Sequence, residues 1–568
     1  MLNIIKKHYL ILILALIAGT LTALPQILAI KKINNFQGIY KIANNDETYY
    51  LARGRDIIDG HSHLGNPYLF EHKNEQPVQF WLPDYILAKP LAIFNINIHY
   101  GYFFYDFIFP FALVLLTYYI IYLLTNEVSV SFLGTAFLHL NLFLYAFGRS
   151  PSPQLNFLFW LLLFLFWLKF LYQSNYKNAF IMGIFFGLLF HIYTYYWTFY
   201  IVFFVIYILV NIILKRHIEY KKYLLVTLIV FCFSIPYFIS MLKSIGLPYY
   251  IESLTRIGMV NTHFPSGRKI FMWGFLTLIL FFMAYKKKVI DINNKSLLLL
   301  SGILAAIITV NHHLITGKNL QFSSHYWMLS VFIFIFTLVY IINLLLEKIK
   351  YKKIKLVILV LVFLYIFYYP TTYAISIIEG DAISYSENSI KQQNYAPIFK
   401  WLNENTYPDE VVFANNELSG LIPVYTANNV FYFAMAGLHF MSDKEFQERF
   451  ILNNYWHEYN EQYAIDNKFG IWGAYYQTKY DHEQSKNKIR KLFFIPPKEY
   501  IKIPQEKIDK FLELAKEIQS NDFESQLKKY RVDYLIWNKA ADPDWKINDQ
   551  KFLSLIIQVD DLAIYKVN

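Results

Sequence analysis

The stretch NNDETYYLARGRDIIDGHSHLGNPYLFEH, residues 44–72, is the first long polar passage in a chain whose amino-terminal part is otherwise mostly apolar. It holds the adjacent acids Asp46 and Glu47, the cations Arg53 and Arg55, and the histidines His61, His63 and His72. Before it, Lys6 and Lys7 lead into an apolar run of about 22 residues, close to the roughly 20 that cross a bilayer as a helix. That run is longer than a typical signal-peptide core and no small-residue cleavage site follows, so it reads as a retained span. A charged loop directly after a first span places reactive groups at a membrane face.

Composition agrees with this beginning. The 568 residues are 56% hydrophobic and 20% aromatic, with only 16% charged, the profile of a polytopic membrane protein. A net charge of +11 would point to nucleic acid in a soluble protein. Here the clustered Lys and Arg sit in short loops between apolar runs, where they orient a chain in an anionic membrane, and no nucleic-acid partner is implied. The single cysteine, Cys232, lies inside an apolar run, which excludes a disulfide framework or a thiolate metal site.

Outward from the polar stretch, about eleven apolar segments have the length of a span: 9–30, 102–124, 128–147, 154–173, 179–192, 195–214, 222–243, 269–285, 296–313, 327–346 and 356–375. As one helix, 179–214 would run about 54 Å against a hydrocarbon core of about 30 Å, so a break is expected at 191–196. With that break the basic loops Lys215–Lys222, Lys286–Lys288 and Lys348–Lys355 share the side of the amino terminus, the cytoplasmic side by the excess of positive charge. The 31–101 loop, GRSPSPQ (148–154), HIYTYYW (191–197), the 244–268 loop, TGKNLQFSSH (316–325) and everything from 376 onward then lie on the extracytoplasmic side. Irregular polar backbone cannot face lipid, so these loops converge at or above the outer interface. FWLPDYILAKPLAIFN (80–95) suits a short interfacial helix. After Ile375 the pattern changes to α/β, with strands expected at VVFA, at VDYLIW (532–537) and at an edge or closing LAIYKVN, and helices over 507–518 and 522–530. The expected architecture is a polytopic α-helical membrane protein, about eleven helices over 1–375, with a C-terminal extracytoplasmic α/β domain over 376–568.

The chemistry-bearing residues cluster on the outer side. Asp46 or Glu47 can accept the proton of an attacking hydroxyl as a general base, or ligate Mg2+ or Mn2+ through oxygen; an ordinary solvated loop carries such a pair too. Arg53, Arg55, Arg149, Arg256, Arg268, Lys318 and His325 stand near span ends, where guanidinium or ammonium groups can stabilise a departing phosphate or simply meet lipid headgroups. Arg149 stands out because RSPSP is short and pinned between two spans, and Lys318 and His325 share one short loop. His61, His63 and His72 make a weak metal pattern. Asp106 and His139 are ionisable groups within spans, which usually face a protein interior. The aromatic run 193–200 suits an interfacial belt or a sugar-stacking wall.

An acidic pair after the first span in the context DETYYLARGRDIIDG, a long external loop running into an interfacial helix, the count of spans, and FKWLNENTYPDEVVFA and KKYRVDYLIW in a final α/β domain together resemble the GT-C superfamily of membrane glycosyltransferases. The resemblance implies a multi-pass enzyme of a bacterial or archaeal cell membrane. It would move a sugar from a polyprenyl-phosphate donor, with inversion, to a hydroxyl on a cell-envelope glycan, lipid or protein. It implies Asp46 as catalytic base with Glu47 assisting, and Arg53, Arg55, Asp106, Arg149, Lys318 and His325 as substrate-binding candidates. Two features depart from the oligosaccharyltransferase members. IWGAYY (471–476) is the nearest string to their WWDYG and lacks its aspartate, and GRSPSPQ has no second acidic site. Both argue against transfer to asparagine and against an obligatory metal. A non-catalytic scaffold or a transporter of lipid-linked glycans is the alternative; a transporter would carry inverted repeats and broken helices, and neither is visible.

Overall fold

A computed structural model describes residues 2–40, 42, 45–77, 80–144, 148–319, 325–376 and 389–568. Among the described residues nine helices are long and apolar enough to cross a membrane, and two shorter apolar ones, Val128–Leu142 and Tyr176–Ile192, complete the eleven expected segments. The shorter pair is the difference from expectation. At 1.5 Å per residue they fall short of a full bilayer by themselves. The first carries an extra-wide turn over Phe137–Leu142, and the second leans along its neighbour over most of its length.

In chain order, helix α1 (Leu2–Lys32) is followed by the polar passage, which contains α2 (Asn45–Ile58) and α3 (Leu82–Ile93). The bundle continues through α4 (Ile98–Thr125), α5 (Val128–Leu142), α6 (Ser150–Tyr172), α7 (Tyr176–Ile192), α8 (Thr194–Ile213) and α9 (Tyr220–Ile245). The break between α7 and α8 is one residue, Tyr193, in extended backbone (φ −167°, ψ 132°). Next come α10 (Tyr250–Ile257), β1 (Val260–Asn261), α11 (Arg268–Lys286), α12 (Asn294–Thr309), α13 (His313–Thr316), β2 (Lys318–Asn319), α14 (Tyr326–Glu347) and α15 (Lys352–Ser376). The connections Lys215–Lys222, Lys286–Lys288 and Lys348–Lys355 fall at one end of the bundle, where Arg216 donates to the Ile292 carbonyl and Lys348 to the Lys288 carbonyl; α2, α3, β1, β2 and the C-terminal region fall at the other. The one-residue break is therefore what keeps the charged loops on a single face.

Beyond α15, α16 (Ala396–Asn405), α17 (Asn416–Tyr425), α18 (Asp443–Asn453), α19 (Tyr475–Leu492) and α20 (Gln505–Gln519) surround a mixed sheet. Its strands are β3 (Val411–Phe413), β4 (Asn429–Val430), β5 (Tyr534–Asn538), β6 (Leu553–Val559) and β7 (Leu562–Val567), in the order β4-β3-β5-β7-β6. β3 runs parallel to both neighbours, Val412 opposite Val430 and Tyr534; β5, β7 and β6 are antiparallel, with Ile536 opposite Ile564. The LAIYKVN segment is not an edge: β7 is paired on both sides and buried from Leu562 to Tyr565. The half-exposed LSLIIQV takes the edge instead. Helix over 522–530 is confined to Phe523–Leu527.

The loop between α1 and α4 does not stand free over the bundle. Its apolar residues Tyr49, Ala52, Tyr68, Leu69, Leu87 and Leu91 share one continuous core with Val412, Phe413, Leu535 and Ile564 of the sheet. Val430 donates its N–H to the Tyr68 carbonyl at 2.8 Å. His72 sits between Glu75 (2.9 Å) and Glu445 (3.0 Å), and Arg449 of α18 reaches both Glu445 and Glu71 at 2.9 Å. Burial alone would lower the His72 pKa, but its bonds to Glu445 and Glu75 outweigh that and raise it to about 9. A raised folded value stabilises the protonated fold fully below the unfolded value near 6.5 and progressively less as pH climbs through about 9. The melting-temperature gap between wild type and His72→Gln should therefore be widest near pH 6 and close above pH 9; a gap constant across that range would contradict the assignment.

Candidate active site

The acidic pair does not lie in an open loop. Asp46 and Glu47 form the first turn of α2, where carboxylates meet the positive end of the helix dipole, worth about 0.3–1 kcal/mol each. The helix forms there because Tyr49, Ala52, Arg53 and Asp56, spaced i, i+3, i+4, i+7, give it one buried stripe. Asp46 itself is exposed, and Glu47 half-buried.

Across from α2, GRSPSPQ folds back into the head of α6. Arg149 stands in extended backbone just before it, and the Ser152–Pro153 peptide is cis. Arg149 Nη1 donates to Asp46 Oδ2 at 2.7 Å and its guanidinium lies over the Tyr50 ring at 5.8 Å. Burial pushes the Tyr50 phenol up to about 12, so it is a neutral wall. The next residues of the same turn grip α4: Ser150 Oγ donates to Asp106 Oδ1 at 2.5 Å and Gln154 Nε2 to the same oxygen at 3.0 Å. Glu47, Tyr50, Tyr102, Asp106, Arg149 and Ser150 line a cavity of about 20 Å3, room for one water and no sugar. Any larger ligand must lie above it, against Asp46 and Arg149.

His325 closes the cluster from the other side of the bundle, immediately before α14. Tyr193, the break residue, shares a 2.9 Å hydrogen bond with its Nδ1, and Tyr195 stacks on its ring at 4.6 Å. Burial, with a smaller contribution from Arg149, lowers its pKa to about 4. His325 is thus a neutral imidazole near Arg149 and Asp46, offering hydrogen bonding rather than the charge expected of it.

Asp46, Glu47, Asp106, Arg149 and His325 are therefore brought together, whereas three other candidates are placed elsewhere. Arg53 is fully buried, donating to Asp84 Oδ2 (2.8 Å), the Phe80 carbonyl (2.7 Å) and the Tyr49 hydroxyl (3.2 Å), so it braces α2 on α3. Arg55 pairs with Asp59 at 2.8 Å one turn along α2. Lys318 is exposed on β2, opposite Asn261; the following residues, Leu320 to Ser324, lie outside the described residues. The histidines do not gather: His61 bonds Asp409 at 3.0 Å, while His72 takes its two glutamates. His139 reaches Thr117 on α4 at 3.0 Å, a helix-to-helix bond. Sequence reading did not single out Tyr50, Ser150 and Gln154 around the acids, and it met Tyr193 and Tyr195, which lie under His325, only as members of the aromatic run 193–200. Short polar neighbours of an arginine, and tyrosines within an aromatic run, carry no spacing that separates a site wall from a belt.

Among the described residues no group of three or more His, Cys, Asp or Glu is arranged to hold a metal ion. Asp46 is engaged by the Arg149 guanidinium and Asp106 by Ser150 and Gln154, and the acids lining the cavity are Glu47 and Asp106.

No protein-family model matches the sequence, and no curated protein matches it. Solved structures do. The oligosaccharyltransferase of Archaeoglobus fulgidus in its apo form superposes with a TM-score of 0.50 at 12% identity, over 94% of this chain and 69% of that one. The same enzyme in complex with Zn and sulfate gives 0.50 at 11% identity, over 98% and 73%. With so little shared sequence the likeness is one of fold alone: the chain shares the overall architecture of this oligosaccharyltransferase, a polytopic helical bundle with a C-terminal domain.

Proposed function

We propose that this protein is a membrane glycosyltransferase that moves a sugar from a polyprenyl-phosphate donor to an extracytoplasmic acceptor hydroxyl with inversion. The observation that carries the reading is the Asp46–Arg149 pair, 2.7 Å apart, at the rim where α2, the head of α6 and His325 meet. It sets an exposed carboxylate beside a guanidinium at a bundle end, the two charges that this transfer needs. Residues 1–375 would hold the lipid-linked donor and 376–568, which share a core with the first loop, would face the acceptor.

Asp46 takes the acceptor hydroxyl proton as that oxygen bonds to the anomeric carbon, and the bond from that carbon to the phosphate oxygen breaks. The electron pair leaves with the polyprenyl phosphate, whose added negative charge falls to Arg149, with a hydrogen bond from neutral His325. A partly exposed ion pair is worth only about 0–1 kcal/mol. Arg149 can therefore turn from Asp46 to a phosphate at small cost, freeing the carboxylate as the donor arrives. Glu47 beneath places a second carboxylate on the acceptor side, where it repels a misplaced phosphate. No step runs through a metal.

Purified protein given a polyprenyl-phosphate sugar of known anomeric configuration and extracted cell-envelope acceptors should yield a product of the opposite configuration by NMR. Retained configuration would exclude direct attack with Asp46 as base.

A further inference from the structure

We infer that the tip of the C-terminal region at Leu492–Ile495 inserts into the outer leaflet and anchors that region to the bilayer. Leu492, Phe493, Phe494 and Ile495 are 73%, 67%, 96% and 53% exposed. Single exposed apolar residues are ordinary, but four in a row ending in an almost bare phenylalanine mark a surface that something covers. The tip is built rather than loose. Asn487 closes its base, accepting the Lys498 N–H at 2.9 Å and donating to the Lys498 carbonyl at 2.7 Å. Within it Ile495 donates to the Arg490 carbonyl at 2.9 Å, and Phe494 turns the chain at φ 58° ahead of Pro496 and Pro497.

What covers it follows from the course of α19. The Ala474 N–H donates to the Arg256 carbonyl, His482 Nε2 lies 2.7 Å from Thr262 Oγ1, and Lys486 Nζ stands over the Phe264 ring at 5.7 Å. Each step along α19 thus meets a residue closer to Arg268, where α11 enters the bilayer. Lipid-facing surface begins at once on α11, with Phe271, Met272 and Trp273 all exposed. From Lys486 the helix continues six residues, roughly 9 Å at 1.5 Å each, toward that level. Lys488, Arg490, Lys491 and Lys498 ring the apolar tip, the arrangement that holds an amphipathic segment against anionic headgroups. The occupant is the bilayer that the bundle already spans, and the inference does not depend on the proposed reaction.

The test uses the full chain with Cys232→Ser, which removes the one native thiol, and a spin label on Phe494→Cys or, independently, on Phe493→Cys. The protein is reconstituted in vesicles of phosphatidylcholine and phosphatidylglycerol, with a control label on Tyr407→Cys, 79% exposed on the same region. Collisions with dissolved oxygen should exceed those with a water-soluble nickel chelate several-fold at both tip positions and be reversed at 407. Tip labels as open to the nickel chelate as the control would overturn the inference and leave the patch to a protein partner or a second copy of this chain.

Discussion

Asp46→Asn should lower transfer by about 10²–10⁴-fold, the usual contribution of a general base, while the fold loses no more than the roughly 0.3–1 kcal/mol of a helix-end charge. The fold does not depend on this side chain, which is 59% exposed and whose one described ion pair is to a half-buried arginine. Asparagine has the same shape and its amide oxygen can still accept from Arg149. What it cannot do is take a proton. The loss should therefore fall on the rate at saturating donor and not on donor affinity. Arg149→Ala should show the complementary signature, a weaker grip on the polyprenyl phosphate together with a slower departure. Full turnover by Asp46→Asn would remove Asp46 as base and transfer that role to Glu47 or Asp106, which share the cavity beneath.

Arg53→Ala should destabilise the protein by about 3–5 kcal/mol, the cost of leaving one member of a buried ion pair alone. Arg53 and Asp84 have 1% and 0% of their side chains exposed, and the guanidinium also satisfies a carbonyl and a tyrosine. Asp84→Asn should cost a similar amount from the other side. The double variant Arg53→Met with Asp84→Leu should recover most of the loss, because apolar residues of similar volume need no desolvated charge balanced. Denaturant unfolding in detergent would read all three; a single-variant loss under about 1 kcal/mol, the level of an exposed pair, would show that water reaches the site. Because α2 carries Asp46 at its other end, the same variants should lose activity in proportion to the folded fraction.

Arg53 and Arg149 show why the site was only partly legible. In sequence both read as cations of the same set of loops near span ends, with nothing in local sequence to separate them. One is a buried strut and the other meets Asp46, and the difference lies in Asp84 and in the turn of GRSPSPQ, tens of residues away. The helix over 45–58 was equally hidden. Its stripe of Tyr49, Ala52, Arg53 and Asp56 mixes polar and apolar types, and becomes one buried face only because α3 and the C-terminal sheet supply the partners.

Sequence by itself determined the membrane class, the eleven apolar segments, a break within 191–196, the shared side of the three basic loops and the change to α/β after the bundle. These follow from local quantities: run length against bilayer thickness, and where Lys and Arg fall. It also singled out Asp46, Arg149 and His325 as groups of one face. Only the tertiary structure decided that these three meet while Arg53, Arg55 and Lys318 do not, that the first loop and the C-terminal sheet share one core, and that β7 is interior. Those outcomes depend on pairings between distant segments, where burial turns one charge into a strut, another into a neutral imidazole, and leaves a third open to ligand.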